Sequence, residues 1–209
     1  STHRGHRHTI AKGADTTFMM AELFARSNGH CHGKGGSMHI ADFSVGMPAA
    51  NGIVGAGLPL ATGAALAAKL EGGGGVAVSF FGDGASNEGS FHGSLNLASI
   101  WKLPVLYVCE NSRWASGNSA AATQSVEDIS VRSVSYNMPG VTVDGADGLA
   151  VYEAAEQAVR RARTGSGPTR VECNTYRCSL SAEQRTDPPD PRRHVEIDLS
   201  PQHHPIPAF

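Results

Sequence analysis

The sequence predicts an α/β fold in which a mainly parallel sheet is flanked by helices. Short apolar runs alternate with amphipathic segments along the 209 residues, as they do in chains built from βαβ units. Two of these runs, 76–81 and 105–109, are short and rich in β-branched and aromatic residues, which suits strands buried on both faces. Each run leads into polar residues, so we expect a ligand site at the carboxyl edge of the sheet.

The best-defined unit is the βαβ pattern of residues 76–111. Between its two strands, apolar residues recur at helical spacing: Phe91, Leu95, Leu97, Ala98 and Trp101. A right-handed crossover would place the two strands side by side, pointing the same way. Asp83 and the residues just after Asn111 should then meet at one edge, in an arrangement that suits a metal ion and phosphate.

The segments before this unit show a basic loop and a helix. Residues 1–8 read STHRGHRH and are interpreted as a solvated or anion-facing loop, because a metal site would need a further fixed ligand that nothing here specifies. Residues 16–26 are predicted to form a helix with one buried stripe. Its members are Phe18, Met19, Leu23 and Phe24.

Two glycine-rich stretches follow. Residues 27–40 form either a binding loop that brings backbone close to a ligand or a merely flexible loop. In residues 51–72, small residues precede a helix rich in Ala and Leu. The first N–H groups of that helix could receive an anion or a heterocycle, although small residues serve close helix packing equally well.

The alternation continues after Asn111. Residues 112–124 are predicted to form a mobile loop that covers the site, and residues 125–136 a short helix. Strands are predicted at 140–143 and 169–176, and a helix at 148–162 with Leu149, Tyr152, Ala155 and Val159 on one side. The proline-rich segment 178–209 shows no periodicity and is predicted to be an irregular or disordered tail, which leaves 1–177 as one domain.

Composition excludes several classes of partner. Seventeen Lys and Arg against 19 Asp and Glu give a formal charge of −2, so nothing favours nucleic acid or an anionic membrane surface. No apolar run has the length of a membrane span. The cysteines, Cys31, Cys109, Cys173 and Cys178, form no CxxC pair. They indicate reduced thiols and a cytoplasmic location.

Several motifs together resemble one family. The chain is similar to the alpha subunit of thiamin diphosphate-dependent 2-oxo acid dehydrogenases, of which pyruvate dehydrogenase and bacterial acetoin dehydrogenase are members. The resemblance implies a thiamin diphosphate-binding fold and extends through Arg177. The segments that resemble the family are HRGHRHTIAKGAD, HGKGGSMHIADF, NGIVGAGLPLATGAALAAKL, FFGDGASNEG and NLASIWKLPVLYVCEN.

The resemblance also implies a set of cofactor-binding residues. Arg4 would grip the diphosphate, a role that suits a guanidinium, and His3 stands where the family has a tyrosine. Mg²⁺ would be held by the Asp83 carboxylate and the Trp114 carbonyl. The remaining backbone contacts would come from Gly52 and Val54 to the aminopyrimidine and from Gly84 and Ala85 to the diphosphate.

Two positions depart from the family pattern. The family has a second asparagine as a magnesium ligand where this chain has Ser112, whose hydroxyl is a shorter and poorer donor. Beyond Arg177, Ser181 stands where a loop histidine is expected, and serine is no general acid near neutral pH. The histidines that remain as catalytic candidates are His6 and His32.

By resemblance, the enzyme would convert a 2-oxo acid such as pyruvate, or acetoin, and pass a two-carbon unit to the lipoyl group of an acyltransferase component. A separate beta subunit would complete the active site in an α2β2 assembly. Two alternatives remain: an inactive paralogue that binds the cofactor or the beta subunit only, and a His-rich metal-binding module. The sharp change after Arg177 also predicts that another reading frame of the coding DNA restores a histidine-containing loop.

Overall fold

The computed structural model describes residues 1–176. It confirms an α/β fold with a mainly parallel sheet. Four strands lie in the order β1-β2-β6-β5, and each neighbouring pair is parallel. The predicted tail 178–209 and the end of the first domain lie outside the described residues. The strands are β1 (Ala77–Gly82), β2 (Val105–Asn111), β5 (Gly140–Asp144) and β6 (Thr169–Asn174), and a separate antiparallel pair consists of β3 (Trp114–Ala115) and β4 (Asn118–Ser119).

Helices cover both faces of the sheet, as the prediction requires. The α-helices are α1 (His6–Ala11), α2 (Thr16–Leu23), α3 (Gly57–Glu71), α4 (Gly89–Ile100), α5 (Ala120–Thr123) and α6 (Gly148–Arg163). Short 3-10 segments occur at Ser37–His39, Phe43–Val45, Asp83–Asn87 and Ile129–Tyr136. The basic segment 1–8 is therefore only partly a loop, because α1 begins at His6 and buries Thr9. The segment 112–124 likewise contains regular structure, in β3, β4 and α5.

Strand β2 divides the core into two layers. Val105, Tyr107 and Cys109 belong to one layer, together with residues of α3 and α4 such as Phe91. The alternate positions, Leu106 and Val108, belong to the other layer, against α6. Both faces of the strand are buried, as its continuous apolar run predicts.

A buried hydroxyl network joins α3 to β2. The Tyr107 hydroxyl lies 2.7 Å from Thr62 Oγ1 and donates to the Ser94 carbonyl at 3.3 Å. Burial raises the pKa of Tyr107 to about 12. The phenol therefore stays protonated and keeps its hydrogen bonds at neutral pH.

The buried stripe predicted for the helix at 16–26 is wrong at most of its positions. Met19 is 6% exposed, but Phe18 is 44%, Leu23 43% and Phe24 69% exposed. The inward side of α2 carries Met19 and Glu22 instead. The physical reason is that the Glu22 carboxylate binds the backbone of the following loop, so a charged residue occupies a position where periodicity favours an apolar one.

The stripe predicted for α6 is half correct. Ala155 and Val159 pack against the sheet, while Leu149 and Tyr152 are exposed. The residues facing the sheet follow one helical spacing: Val151, Ala154, Ala155, Ala158 and Val159. Small side chains on this face let the helix lie close to β2 and β6, which leaves the larger side chains outside.

Within residues 1–176, no helix combines the length and apolarity that crossing a bilayer requires. Cys31, Cys109 and Cys173 are free thiols, and Cys178 lies outside the described residues. Burial raises the pKa of Cys109, and it raises the pKa of Cys173 to about 11. These two buried thiols remain protonated at neutral pH, so they are poor nucleophiles.

Candidate functional site

The candidate site lies where β1 and β2 end together. Gly82 pairs with Glu110 in the parallel register, and Asp83 follows at once as the first residue of a 3-10 turn. Asp83 is only 3% exposed. This turn packs against β3, so the chain after Asp83 and the chain after Asn111 meet as the sequence predicts.

Gly84 shows how closely these two segments approach. A Cβ placed on Gly84 would lie 2.7 Å from the Cβ of Ala115, a separation that side chains do not tolerate. Gln124 further joins the segments by donating from Nε2 to the Asp83 carbonyl at 3.4 Å. A glycine at position 84 is thus required for the hairpin formed by β3 and β4 to lie over the Asp83 turn.

The chain after β2 is fixed by the Asn111 side chain. Its Oδ1 accepts a hydrogen bond from the Arg113 N–H at 2.8 Å, and its Nδ2 donates to Glu172 Oε1 at 2.7 Å. Glu172 Oε2 accepts from the Ser130 N–H at 2.5 Å. Asn111 and Glu172 are fully buried, so this network holds the turn that presents Ser112 and Trp114.

The candidate metal ligands are all oxygen atoms. Asp83 offers a carboxylate, Trp114 a carbonyl and Ser112 a hydroxyl, and the Ser112 hydroxyl donates to the Trp114 carbonyl at 3.2 Å. Oxygen ligands of this kind suit Mg²⁺. The donor set therefore fits a magnesium ion in its chemistry, with Ser112 as the weakest of the three donors.

The N-terminal segment brings a second group of predicted residues together. Thr2 and Asn51 form a parallel bridge, which brings the chain just before His3 and Arg4 to the start of the segment that contains Gly52 and Val54. The side chain of Val54 is 53% exposed, so the backbone of this segment is not covered by the core.

Gly55 links the second group to the first. It has a φ of +81°, and a Cβ there would lie 2.7 Å from Ser90 Oγ. Ser90 Oγ donates to the Gly55 carbonyl at 3.4 Å. Since Ser90 lies in the first turn of α4, just after the Asp83 turn, this contact ties the Gly52 segment to the sheet edge.

The two predicted catalytic histidines lie in different surroundings. His6 Nε2 shares a hydrogen bond of 3.1 Å with Ser37 Oγ. His32 Nδ1 contacts the Ser27 carbonyl at 3.2 Å, and His32 itself has a φ of +57°. This places His32 in a local turn contact, whereas His6 adjoins the segment that contains His3 and Arg4.

Other histidines of the basic segments also make local contacts. His8 stacks on Phe80 with ring centroids 3.8 Å apart and lies 3.3 Å from Glu110 Oε1. His30 Nδ1 lies 3.4 Å from Asp42 Oδ2. In the described part of the chain, no three His, Cys, Asp or Glu side chains gather as a metal-binding group, so nothing there supports the His-rich metal module.

Sequence reasoning missed three buried charged residues around the site. Arg170 donates to the Ile129 carbonyl and lies over the Phe91 ring at 5.7 Å. Burial lowers the pKa of Arg170 to about 10, which still leaves it charged at neutral pH. The other two are Glu172 and Glu22. Glu22 interrupts the apolar run FMMAELF, whereas Arg170 and Glu172 alternate with Val171 and Cys173 in a predicted strand. A charged residue inside a predicted buried element is the signal by which each could have been found.

Comparison with known proteins gives a consistent set of relatives. Residues 1–209 match the family model of the dehydrogenase E1 component. The alpha subunit of acetoin:2,6-dichlorophenolindophenol oxidoreductase from Bacillus subtilis is 56% identical over 177 residues, which are 85% of this chain and 53% of that protein. Its counterpart from Cupriavidus necator is 55% identical, with the same coverage.

A plant relative extends the comparison. Subunit alpha-3 of the chloroplastic pyruvate dehydrogenase E1 component from Oryza sativa subsp. japonica is 42% identical over 218 positions, which cover all of this chain and 51% of that protein. The chain thus spans about half the length of the relatives it matches. The family match also runs through 178–209, the segment that sequence analysis sets apart as a tail.

Proposed function

The chain belongs to the dehydrogenase E1 component family, and from this premise we propose that it forms part of the alpha subunit of a thiamin diphosphate-dependent dehydrogenase. The enzyme converts acetoin, or a 2-oxo acid such as pyruvate, and passes the two-carbon unit to a lipoyl group. The supporting observation is the meeting of the buried Asp83 turn with the Ser112–Trp114 turn at the sheet edge.

The roles proposed for single residues follow from their chemistry. When bound, thiamin diphosphate supplies the electron sink for carbon–carbon bond cleavage. The Arg4 guanidinium pairs with the diphosphate oxygens. The Mg²⁺ ligands are the Asp83 carboxylate, the Trp114 carbonyl and the Ser112 hydroxyl. Backbone groups of Gly84 and Ala85 bind the diphosphate, and those of Gly52 and Val54 hold the aminopyrimidine. His3 adds a donor to the diphosphate.

Proton transfer is assigned to His6. It lies in the first turn of α1, next to the segment that contains Arg4, and its hydrogen bond to Ser37 orients the ring. An imidazole changes charge near neutral pH, which is the property a general acid or base requires. His32 is the weaker candidate, because its ring is engaged with the Ser27 carbonyl.

Partners and location are part of the same proposal. A beta subunit would supply the glutamate that activates the aminopyrimidine in an α2β2 assembly, and a lipoyl acyltransferase would accept the product. Exposed apolar side chains on α2 and α6 are consistent with subunit contacts. Free thiols at the three described cysteines support a reducing compartment such as the cytoplasm.

Acetoin is favoured over pyruvate as the substrate. The two relatives named for acetoin are 56% and 55% identical to this chain, whereas the pyruvate dehydrogenase subunit is 42% identical. Assembled enzyme assayed with both substrates would decide between them. A higher kcat/KM for pyruvate would reverse the assignment.

The alternative is a paralogue that binds the cofactor without performing chemistry. Ser112 favours it, because a serine hydroxyl is a shorter and poorer donor to a metal ion than the asparagine that the family has at this position. Ser112→Asn separates the two functions. If poor magnesium coordination alone limits the site, this variant should need roughly tenfold less Mg²⁺ for half-maximal binding of thiamin diphosphate and should gain activity. Gain of binding without activity would favour the paralogue.

The direct test of the proposed site is calorimetry of thiamin diphosphate with Mg²⁺, using the chain assembled with a beta subunit. Asp83→Asn should abolish magnesium-dependent binding, because an amide oxygen lacks the carboxylate charge. Asp144→Asn is the matched control, since Asp144 ends the opposite edge strand and its Oδ1 accepts a bond from the Ala146 N–H that asparagine can also accept. Equal binding by both variants would contradict the site.

A further inference from the structure

The Glu22 carboxylate is held by the backbone of a single loop. Glu22 is fully buried on α2, and each of its oxygens accepts two hydrogen bonds. Oε2 accepts from the N–H groups of Cys31 and Gly33, both at 2.8 Å. Oε1 accepts from the N–H groups of Gly35 and Gly36, at 2.7 and 3.0 Å. The partners of this buried charge are thus backbone N–H groups of one loop.

Glycine lets the loop come this close to α2. A Cβ on Gly29 would lie 2.6 Å from the Glu22 Cα, and a Cβ on Gly33, which has a φ of +73°, would lie 2.5 Å from the Ala25 carbonyl carbon. Any side chain at either position would push the loop away from the helix. The glycines and the carboxylate therefore act together to give residues 29–36 one defined path.

The far end of the loop touches two of the proposed site residues, His6 and Gly52. Ser37 Oγ shares its hydrogen bond with His6 Nε2. His39 lies against Gly52, since a Cβ on Gly52 would be 3.6 Å from the His39 Nε2. His39 Nδ1 in turn donates to the Gly35 carbonyl at 3.1 Å, within the part of the loop that Glu22 holds.

We propose that Glu22 is a positioning residue for the cofactor site: through the loop it holds, it places Ser37 against His6 and His39 against Gly52. Glu22 itself does not touch the cofactor in this proposal. The inference rests on the proposed function, because it assigns Glu22 to the support of residues that the proposed function places at the cofactor.

Glu22→Gln is the informative variant because each carboxylate oxygen of Glu22 accepts two hydrogen bonds. A glutamine has one oxygen and one NH₂ group, and the NH₂ group would face two N–H donors. One pair of loop amides, either Cys31 with Gly33 or Gly35 with Gly36, must therefore lose its acceptor. Glu153→Gln is the matched control, since Glu153 is an exposed residue of α6.

Amide hydrogen exchange of the full chain tests the loop contact without any ligand. In Glu22→Gln, exchange at one of the two amide pairs should become about tenfold faster, while the amides of β2 and β6 stay protected. In Glu22→Ala, added sodium formate should restore part of the protection by filling the vacated anion position. Unchanged exchange in the loop, or equal loss of protection in β2 and β6, would overturn the proposal.

Thiamin diphosphate affinity of the chain assembled with a beta subunit tests the positioning role. The wild type is measured first, because absence of binding there would overturn the proposed function, and this inference with it, before any variant is compared. If the wild type binds, Glu22→Gln should bind roughly tenfold more weakly, and formate should improve binding by Glu22→Ala. If amide exchange in the loop of Glu22→Gln becomes faster while the affinity for thiamin diphosphate is unchanged, the positioning role alone is overturned.

Discussion

Two opposing effects act on the ionisation of Glu22. Burial raises the pKa of its carboxyl group, while the four backbone hydrogen bonds lower it, and together they leave the pKa below its ordinary value of 4.5. Because the folded protein binds a proton here less readily than the unfolded chain does, the ionised carboxylate stabilises the fold. This contribution is complete above pH 4.5 and is lost as the pH falls through the lower value of the folded state.

A pH series should reveal this contribution. Glu22→Gln cannot ionise, so the wild type should exceed it in free energy of unfolding at pH 7, and the difference should shrink as the pH falls below about 4.5. Urea unfolding of both proteins between pH 7 and pH 3 measures it. A difference that stays constant over this range would show that the carboxylate charge does not stabilise the loop.

At the scale of single residues, a functional residue that belongs to a recognisable local motif was predictable. Asp83 follows a recognisable buried strand, and the structure places it beside the chain after Asn111, as expected. The partners of Glu22 were not predictable, because they are backbone N–H groups of an irregular loop whose path depends on positive φ angles. For His32, a histidine in a glycine-rich motif suggests catalysis; the structure shows its ring in contact with the Ser27 carbonyl, and the catalytic role stays a prediction.

At the scale of elements, the strands were easier to predict than the helix faces. Strand β2 is buried on both sides, so its apolar run identifies it without any choice of face. Helices α2 and α6 require that choice. The charged Glu22 on the inward side of α2 and the small inward residues of α6 made the wrong face look more apolar. Large side chains such as Phe24 and Tyr152 dominate the periodicity although they lie outside.

The approach of the hairpin formed by β3 and β4 to the Asp83 turn can be tested with a single methyl group. Gly84→Ala should lower the free energy of unfolding by about 1–3 kcal/mol and displace the hairpin, because its Cβ would lie 2.7 Å from that of Ala115. Urea unfolding and the fluorescence of Trp114 report these two effects.

Gly89→Ala is the control for this substitution. Gly89 is the first residue of α4, and no heavy atom lies within 4 Å of the added Cβ position. Alanine there should raise the free energy of unfolding by up to about 1 kcal/mol, since it is the better helix former. Equal effects of the two substitutions would mean that the hairpin does not need Gly84.

The whole molecule leaves many large apolar side chains exposed in its described part. Met20 on α2 is 51% exposed, and Phe24, which caps the C-terminus of α2, is 69% exposed. The α/β class, the parallel sheet and the site edge were all predictable, since they follow from strand order and polarity. The exposed helix surfaces were not predictable, because exposure depends on how every element packs.

This exposed surface predicts self-association of the chain when it is alone in solution. Phe24→Ser should reduce association, measured by light scattering over a range of concentrations, without lowering the thermal midpoint, because the side chain is already in water. Met19→Ser on the same helix is the contrasting control. It should lower the midpoint, since Met19 is 6% exposed. If Phe24→Ser associates as the wild type does, the surface that causes self-association lies elsewhere.

The sheet order also constrains how the chain can fold while it is being made. Strand β6 lies between β2 and β5 but follows both in sequence. A nascent chain that has emerged only through residue 168 therefore contains β1, β2 and β5, while the place between β2 and β5 is still open. Since parallel pairing over long separations is slow and exposes strand edges, the nascent chain must keep that place free until Thr169–Asn174 emerges.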